Sequence, residues 1–171
     1  TAGTQSVTAK DTGNASLTST QSGIVVVPAP VAMFVVNGYP SPITAGISGN
    51  FSVTAKDVYG NVATNYAGTA HFTSSDGNAT LPADSTLTNG SGTFSAMLKT
   101  AGTQSISATD TATSATGSQP GIVVNPAAAN TLVVAGYPSP VTAGTSNNFN
   151  VTAKDAFGNV ATGYAGTLHF T

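Results

Sequence analysis

GIVVVPAPVAMFVVNGYPSPITAGISGNFSVTAKDVYGNVATNYAGTAHFT, residues 23–73, is written a second time as GIVVNPAAANTLVVAGYPSPVTAGTSNNFNVTAKDAFGNVATGYAGTLHFT, residues 121–171. The copies lie 98 positions apart and agree at 36 of 51 paired positions. The opening TAGTQSVTAKDT returns as TAGTQSISATDT from Thr100, offset by 99 through a one-residue indel. Self-similarity at a fixed period is the signature of a tandem array. This period exceeds the roughly 20–50 residues of solenoid repeats and is about the size of one β-sandwich domain.

The period also predicts where the units meet. VPAPVA (residues 27–32) and NPAAAN (residues 125–130) occupy equivalent places, are rich in Pro and Ala, and carry no charge. Such segments read as linkers, stiffened where Pro fixes φ. One complete repeat is then expected over residues 28–125. Residues 1–27 correspond to the C-terminal strands of a preceding repeat, and residues 126–171 to the N-terminal half of a following one. Half a sandwich cannot cover its own core, so the chain reads as a window cut from a longer polymer.

Composition points to a structural part. Charged residues make up 6% of the chain, against about 25% in ordinary globular proteins. There is no Glu and no Arg, and the cations are Lys10, Lys56, Lys99 and Lys154. A formal net charge of −2 leaves no electrostatic footprint for nucleic acid or an anionic membrane. The absence of Cys removes both disulfides and thiolate chemistry. No apolar run approaches the roughly 18 residues of a membrane span.

Strand signals recur along the complete repeat. Phe51-Ser-Val-Thr-Ala-Lys56 alternates, with Phe51, Val53 and Ala55 on one side, as a strand with one buried face does. Thr69–Thr73 alternates too, Met33–Asn37 is a short apolar run, and Thr93–Lys99, Gln104–Thr109 and Gly121–Val124 complete the strand signals, with Ala79–Leu81 as a weaker strand before Pro82. The prolines of Gly38-Tyr-Pro-Ser-Pro42 suit an edge strand that kinks and changes sheets. Asn89-Gly90 is a tight-turn dipeptide. Seven short strands separated by turns every 8–12 residues or so are the pattern of an immunoglobulin-like sandwich. Its expected core includes Phe51, Val53, Ala55, Phe72, Phe94, Ile106 and Val123.

The segment VTAKDxxGN (Val53–Asn61, again Val151–Asn159), followed by a strand, resembles the bacterial immunoglobulin-like repeats of large surface proteins, similar in outline to the invasin and intimin repeat type. The longer string GYPSPxTAG…VTAKD…GNVAT…YAGTxHFT resembles tandem modules of giant secreted or surface-attached proteins. The resemblance covers essentially the whole chain. It implies an all-β fold of tandem immunoglobulin-like repeats, extracellular or cell-surface placement and a stalk or scaffold role, and it carries no catalytic residues.

Several residues invite sharper readings. His71 and His169 sit on outward strand faces a full repeat apart, which disfavours a shared metal. Asp57-Val-Tyr-Gly60-Asn61 and Asp155-Ala-Phe-Gly158-Asn159 faintly resemble calcium loops, but each offers one carboxylate where calcium takes six to eight oxygen ligands. They read better as structural turns, with the Asp accepting backbone N–H bonds and Gly-Asn supplying unusual φ values; Asp76 reads likewise. Lysines near Asp or Asn raise the idea of an isopeptide crosslink, against which stand the outward placement of Lys56 and the lack of any Glu. Of five Asn-x-Ser/Thr triplets, Asn78 and Asn89 fall in turns able to carry a glycan.

Enzyme chemistry fails on inventory: no Cys, Glu, Arg or Trp, no spaced Ser–His–Asp set, and Asp residues confined to turns. No cofactor is implied. Two classes of function remain. One is a structural repeat of a filament, stalk or surface fibre, whose partners are neighbouring repeats joined end to end or by strand complementation, with lateral self-association. The other is an adhesin or carbohydrate-binding repeat, with Tyr39 and Tyr59 as outward aromatics and Tyr66 at a buried corner; a spacer module of a secreted multidomain enzyme is a further alternative.

Overall fold

The computed structural model describes residues 1–171 and contains strands, turns and loops without any helix. Between Val31 and Asn125 two sheets face each other. Strands β3 (Val31–Asn37), β5 (Ser48–Asp57) and β8 (Ser91–Met97) form one, in the order β3-β5-β8. The other holds β4 (Ile43–Thr44), β6 (Thr69–Ser74), β7 (Ser85–Thr86), β9 (Gly102–Asp110) and β10 (Thr116–Asn125), in the order β4-β10-β9-β6-β7. All pairings are antiparallel except β4 with β10. The chain crosses from the first sheet to the second at the Gly38–Pro42 break, so β3 and β4 edge different sheets.

Alternation in β5 buries Phe51, Val53 and Ala55 between the sheets. Phe51 meets Phe72 of the opposite sheet edge-on, with ring centroids 5.7 Å apart, and Phe94 lies 4.6 Å from Phe72. Such aromatic contacts add about 0.5–1.5 kcal/mol each beyond area burial. Leu87, Leu98, Ile106 and Ile122 complete the centre. Asn89 (φ 50) and Gly90 (φ 73) both adopt left-handed backbone in the turn before β8, as a two-residue hairpin loop requires. A Cβ on Gly90 would lie 2.4 Å from the Ala63 carbonyl oxygen.

Four expectations need correction. Val123 faces outward at 44% exposure, while Ile122 and Val124 are buried. The β9–β10 register shifts between Gln119 and Ile122, where Gly121 has φ 71, and a one-residue shift exchanges the two faces of a strand. The run Ile-Val-Val has no polar residue to reveal that parity. Ala79–Leu81 is not a strand: Thr80 makes only an isolated bridge to Met97, and the short strand lies at Ser85–Thr86, past Pro82. Tyr39 is not an outward aromatic. It is buried at 3% exposure, and its hydroxyl donates to the Ala96 carbonyl. In the Asp57 turn only Gly60 has positive φ; Asn61 does not.

The flanking residues form two hairpins, β1 (Gly3–Lys10) with β2 (Thr18–Val26), and β11 (Thr131–Ala135) with β12 (Asn150–Lys154). Each copies a piece of the central sandwich. Gly3↔Val26 reproduces Gly102↔Val124, and Val134↔Val151 reproduces Val36↔Val53. The apolar faces of these hairpins have no facing sheet: Val7 is 65% exposed, against 0% for its counterpart Ile106, and Val134 63%, against 4% for Val36.

The parity of β10 is directly testable. Ile122→Ala should lower stability by about 2–5 kcal/mol, the cost of emptying a packed site, whereas Val123→Ala should cost well under about 1 kcal/mol. Urea denaturation of the two variants checks this; a larger loss for Val123→Ala than for Ile122→Ala would place the strand in the opposite register.

Candidate functional site: the joint between units

The chain forms the same contact twice, one sequence repeat apart, at two junctions between a TAGTQS segment and a DxxGN turn. At the first junction the backbone N–H of Ala2 donates to Asn61 Oδ1 at 2.9 Å. At the second, the N–H of Ala101 donates to Asn159 Oδ1, also at 2.9 Å. Ala2 and Ala101 occupy the same place in the two TAGTQS segments, and Asn61 and Asn159 the same place in the two DxxGN turns. Each contact thus ties the segment leading into one hairpin, β1–β2 or β9–β10, to the DxxGN turn after β5 or β12. At the second junction Asn159 Nδ2 also donates to the Lys99 carbonyl at 2.8 Å.

Both asparagines are held by a buried aspartate. Asp57 Oδ1 accepts the N–H groups of Tyr59 (2.9 Å) and Asn61 (2.8 Å), while Oδ2 accepts Asn61 Nδ2 (2.8 Å) and the N–H of Ala29 (3.0 Å). Asp155 repeats the set with Phe157, Asn159 and Ala127. Ala29 and Ala127 lie in the linkers, directly after Pro28 and Pro126. The carboxylate therefore fastens its own turn, the linker and, through the asparagine, the preceding unit. A buried carboxylate with four donors is satisfied, and removing it would strand four polar groups.

A third aspartate braces the second junction from the other side. Asp76 is buried; its Oδ2 accepts the N–H groups of Lys99 (2.6 Å) and Thr100 (2.9 Å), and its Oδ1 accepts the Thr100 hydroxyl (2.6 Å). Those residues flank the Lys99 carbonyl and Ala101 N–H that meet Asn159. Polar contacts run without a gap from Asp76 through Lys99–Ala101 and Asn159 to Asp155 and Ala127.

Packing adds a lock. Gly46, at the turn between β4 and β5 (φ +83), lies against the Phe157 ring, and a Cβ there would come within 2.4 Å of Phe157 Cζ. Phe157 belongs to the DxxGN turn of the next unit, so the aromatic of one unit seats on a bare glycine of the other.

Burial pushes the Asp57 carboxyl up, but the Asn61 side chain and the N–H groups of Asn61, Ala29 and Tyr59 outweigh it, leaving the pKa below its ordinary value. At Asp155 burial is likewise overcome, by the Asn159 side chain and the Ala127, Asn159 and Phe157 amides. At Asp76 the hydroxyl and N–H of Thr100 lead the opposing contribution. The ionised carboxylates thus favour the assembled joint.

Other singled-out residues stand apart from it. His71 Nδ1 lies 2.7 Å from Asp84 Oδ1 on the surface, and His169 is exposed. No three His, Cys, Asp or Glu residues gather where a metal could be held. Lys99 Nζ donates to Thr80 Oγ1 at 2.8 Å, with no carboxylate or amide as partner. Asn78 and Asn89 are exposed, and Asn78 Nδ2 donates to Thr100 Oγ1.

No protein-family model matches the sequence, and no curated protein matches it. Among solved structures, domains 4–9 of the surface layer protein SbsC align at 23% identity with a TM-score of 0.44, covering 93% of this chain and 25% of that one. Domains 5–6 of the same protein align at 23% identity with a TM-score of 0.39, covering 78% and 65%. The chain spans about a quarter of the first structure's length. Likeness at this level assigns no function.

The carboxylate clamp has a defined pH signature. A folded pKa below the ordinary value gives stabilisation that is complete above the ordinary carboxylate pKa and is lost as pH falls through the depressed folded value. The Ala127 amide should therefore be strongly protected from hydrogen exchange at neutral pH and lose protection in that acid range. Asp155→Ala should abolish its protection at neutral pH by about tenfold or more, one lost hydrogen bond's worth. Unchanged exchange in the variant would show that the carboxylate does not hold the linker.

Proposed function

We propose that this chain is a non-catalytic structural segment of an extracellular, cell-surface filament or stalk, built of immunoglobulin-like sandwiches joined end to end through aspartate-clamped linkers. The observation that carries this reading is the recurrence of one joint at both junctions, atom for atom at Ala2–Asn61 and Ala101–Asn159. Two independent binding sites would have no reason to fall at the same phase of the repeat. A mechanical connector must.

The unit boundaries on this reading are residues 1–27, 28–125 and 126–171. The connection from β3 to β4 that changes sheets, with β4 parallel to β10, supports the immunoglobulin-like connectivity. Low charge and Thr- and Ser-rich outer faces suit close lateral neighbours, since such rods repel one another weakly. Burial of Tyr39 leaves Tyr59 as the outward aromatic among the sugar-face candidates, which favours a structural role over a carbohydrate-binding one. Asn78 and Asn89 stay available on exposed turns should the host glycosylate them.

A rod of this kind adds a fixed length per unit, on the order of 40 Å for strands of about 5–6 residues plus end loops. Small-angle scattering on polypeptides of two, four and six repeats should show a maximum dimension rising linearly with repeat number. A dimension that levels off would mean that the units fold back on one another, and the connector role would fall.

A further inference from the structure

Two halves of the aromatic lock stand open on this chain. Phe157 rests on Gly46, but Tyr59, which occupies the same place in the other DxxGN turn, is 79% exposed, twice the 39% of Phe157. Gly144, the counterpart of Gly46, has φ +84 and nothing within 4 Å of where a Cβ would stand. One face thus presents an aromatic without a seat, and another presents a seat without an aromatic. The rest of the Tyr59 turn is already in its assembled form: Asp57 holds Asn61 and Ala29, and Asn61 holds Ala2.

We propose that Tyr59 is a docking residue whose partner is the glycine turn of another copy of this repeat, and that Gly144 is the seat for the DxxGN aromatic of a further copy. The occupant follows from continuity with the contact that Phe157 makes one repeat along, where the same clamp accompanies the same ring-on-glycine packing. Tyr59 can take the place that Phe157 fills, since the seat requires a flat ring and, opposite it, no Cβ. The pairing is heterologous, the two faces being different surfaces of one unit. An interface of that type propagates as an open line unless its rotation closes a ring. The glycine also acts as a gate on partners: a neighbour with any side chain at that position would meet the ring, and its φ near +83 already disfavours L side chains.

This rests on the end-to-end reading above, and one polypeptide separates the two. A copy of residues 28–99 carrying Y59F, placed directly ahead of Thr1, continues the repeat in phase and puts a Gly46 turn opposite Tyr59. Tyr59 nitration by tetranitromethane, located by mass spectrometry, is compared with that in the 171-residue chain. The expected result is protection of Tyr59 by about tenfold or more, reversed by G46A in the added copy while the Ala2 amide stays protected from hydrogen exchange. Equal nitration with and without the added copy overturns the docking role, whatever the G46A variant does. Scattering on the same polypeptide tests the rod independently. Added length with an unprotected Tyr59 leaves the rod standing and removes the lock; a protected Tyr59 without added length does the reverse.

Discussion

The buried carboxylate of the DxxGN turn, Asp57 in one unit and Asp155 in the next, is the interaction on which the arrangement of the units depends. Placing an anion out of water is costly unless donors surround it, and here four donors come from its own turn and from the linker. The turn, the linker and the asparagine that reaches the preceding unit are all fixed by one group. Loss of the charge or of its position would free all three together. That coupling converts a short linker, which proline alone would only stiffen, into a fixed connection.

Glycine at the joint completes what charge begins. Hydrogen bonds set the position of the DxxGN turn, while the aromatic ring packs on the bare backbone of Gly46 beside it. Directional bonds and close packing constrain different degrees of freedom, so the pair resists both sliding and rocking.

Much of the sandwich was legible in the sequence because alternation in β5 leaves a single assignment of faces. The β10 parity was not, since Ile122-Val123-Val124 carries no polar residue and the deciding register shift lies upstream at Pro120-Gly121. Tyr39 was misplaced for a related reason: a tyrosine between glycine and proline gives no periodicity, and its burial follows from a hydroxyl that finds the Ala96 carbonyl. The Asp57 turn could be recognised as a turn, but its reach to Ala29 and, through Asn61, to Ala2 is a tertiary fact. One trace of it was present. Pro28-Ala29 is repeated unchanged as Pro126-Ala127 while the next five residues all differ between the copies, and Ala29 precedes Asp57 by the same 28 residues that separate Ala127 from Asp155.

The most direct test of the account is the relative orientation of neighbouring units in solution, read from residual dipolar couplings of backbone amides. Couplings from β9 and β10 on one side of the second junction and from β11 and β12 on the other should fit a single alignment tensor at neutral pH. In Asp155→Ala the two sets should require separate tensors of different magnitude. Two tensors in the unaltered protein, or one in the variant, would contradict the claim that a buried carboxylate holds the units in line.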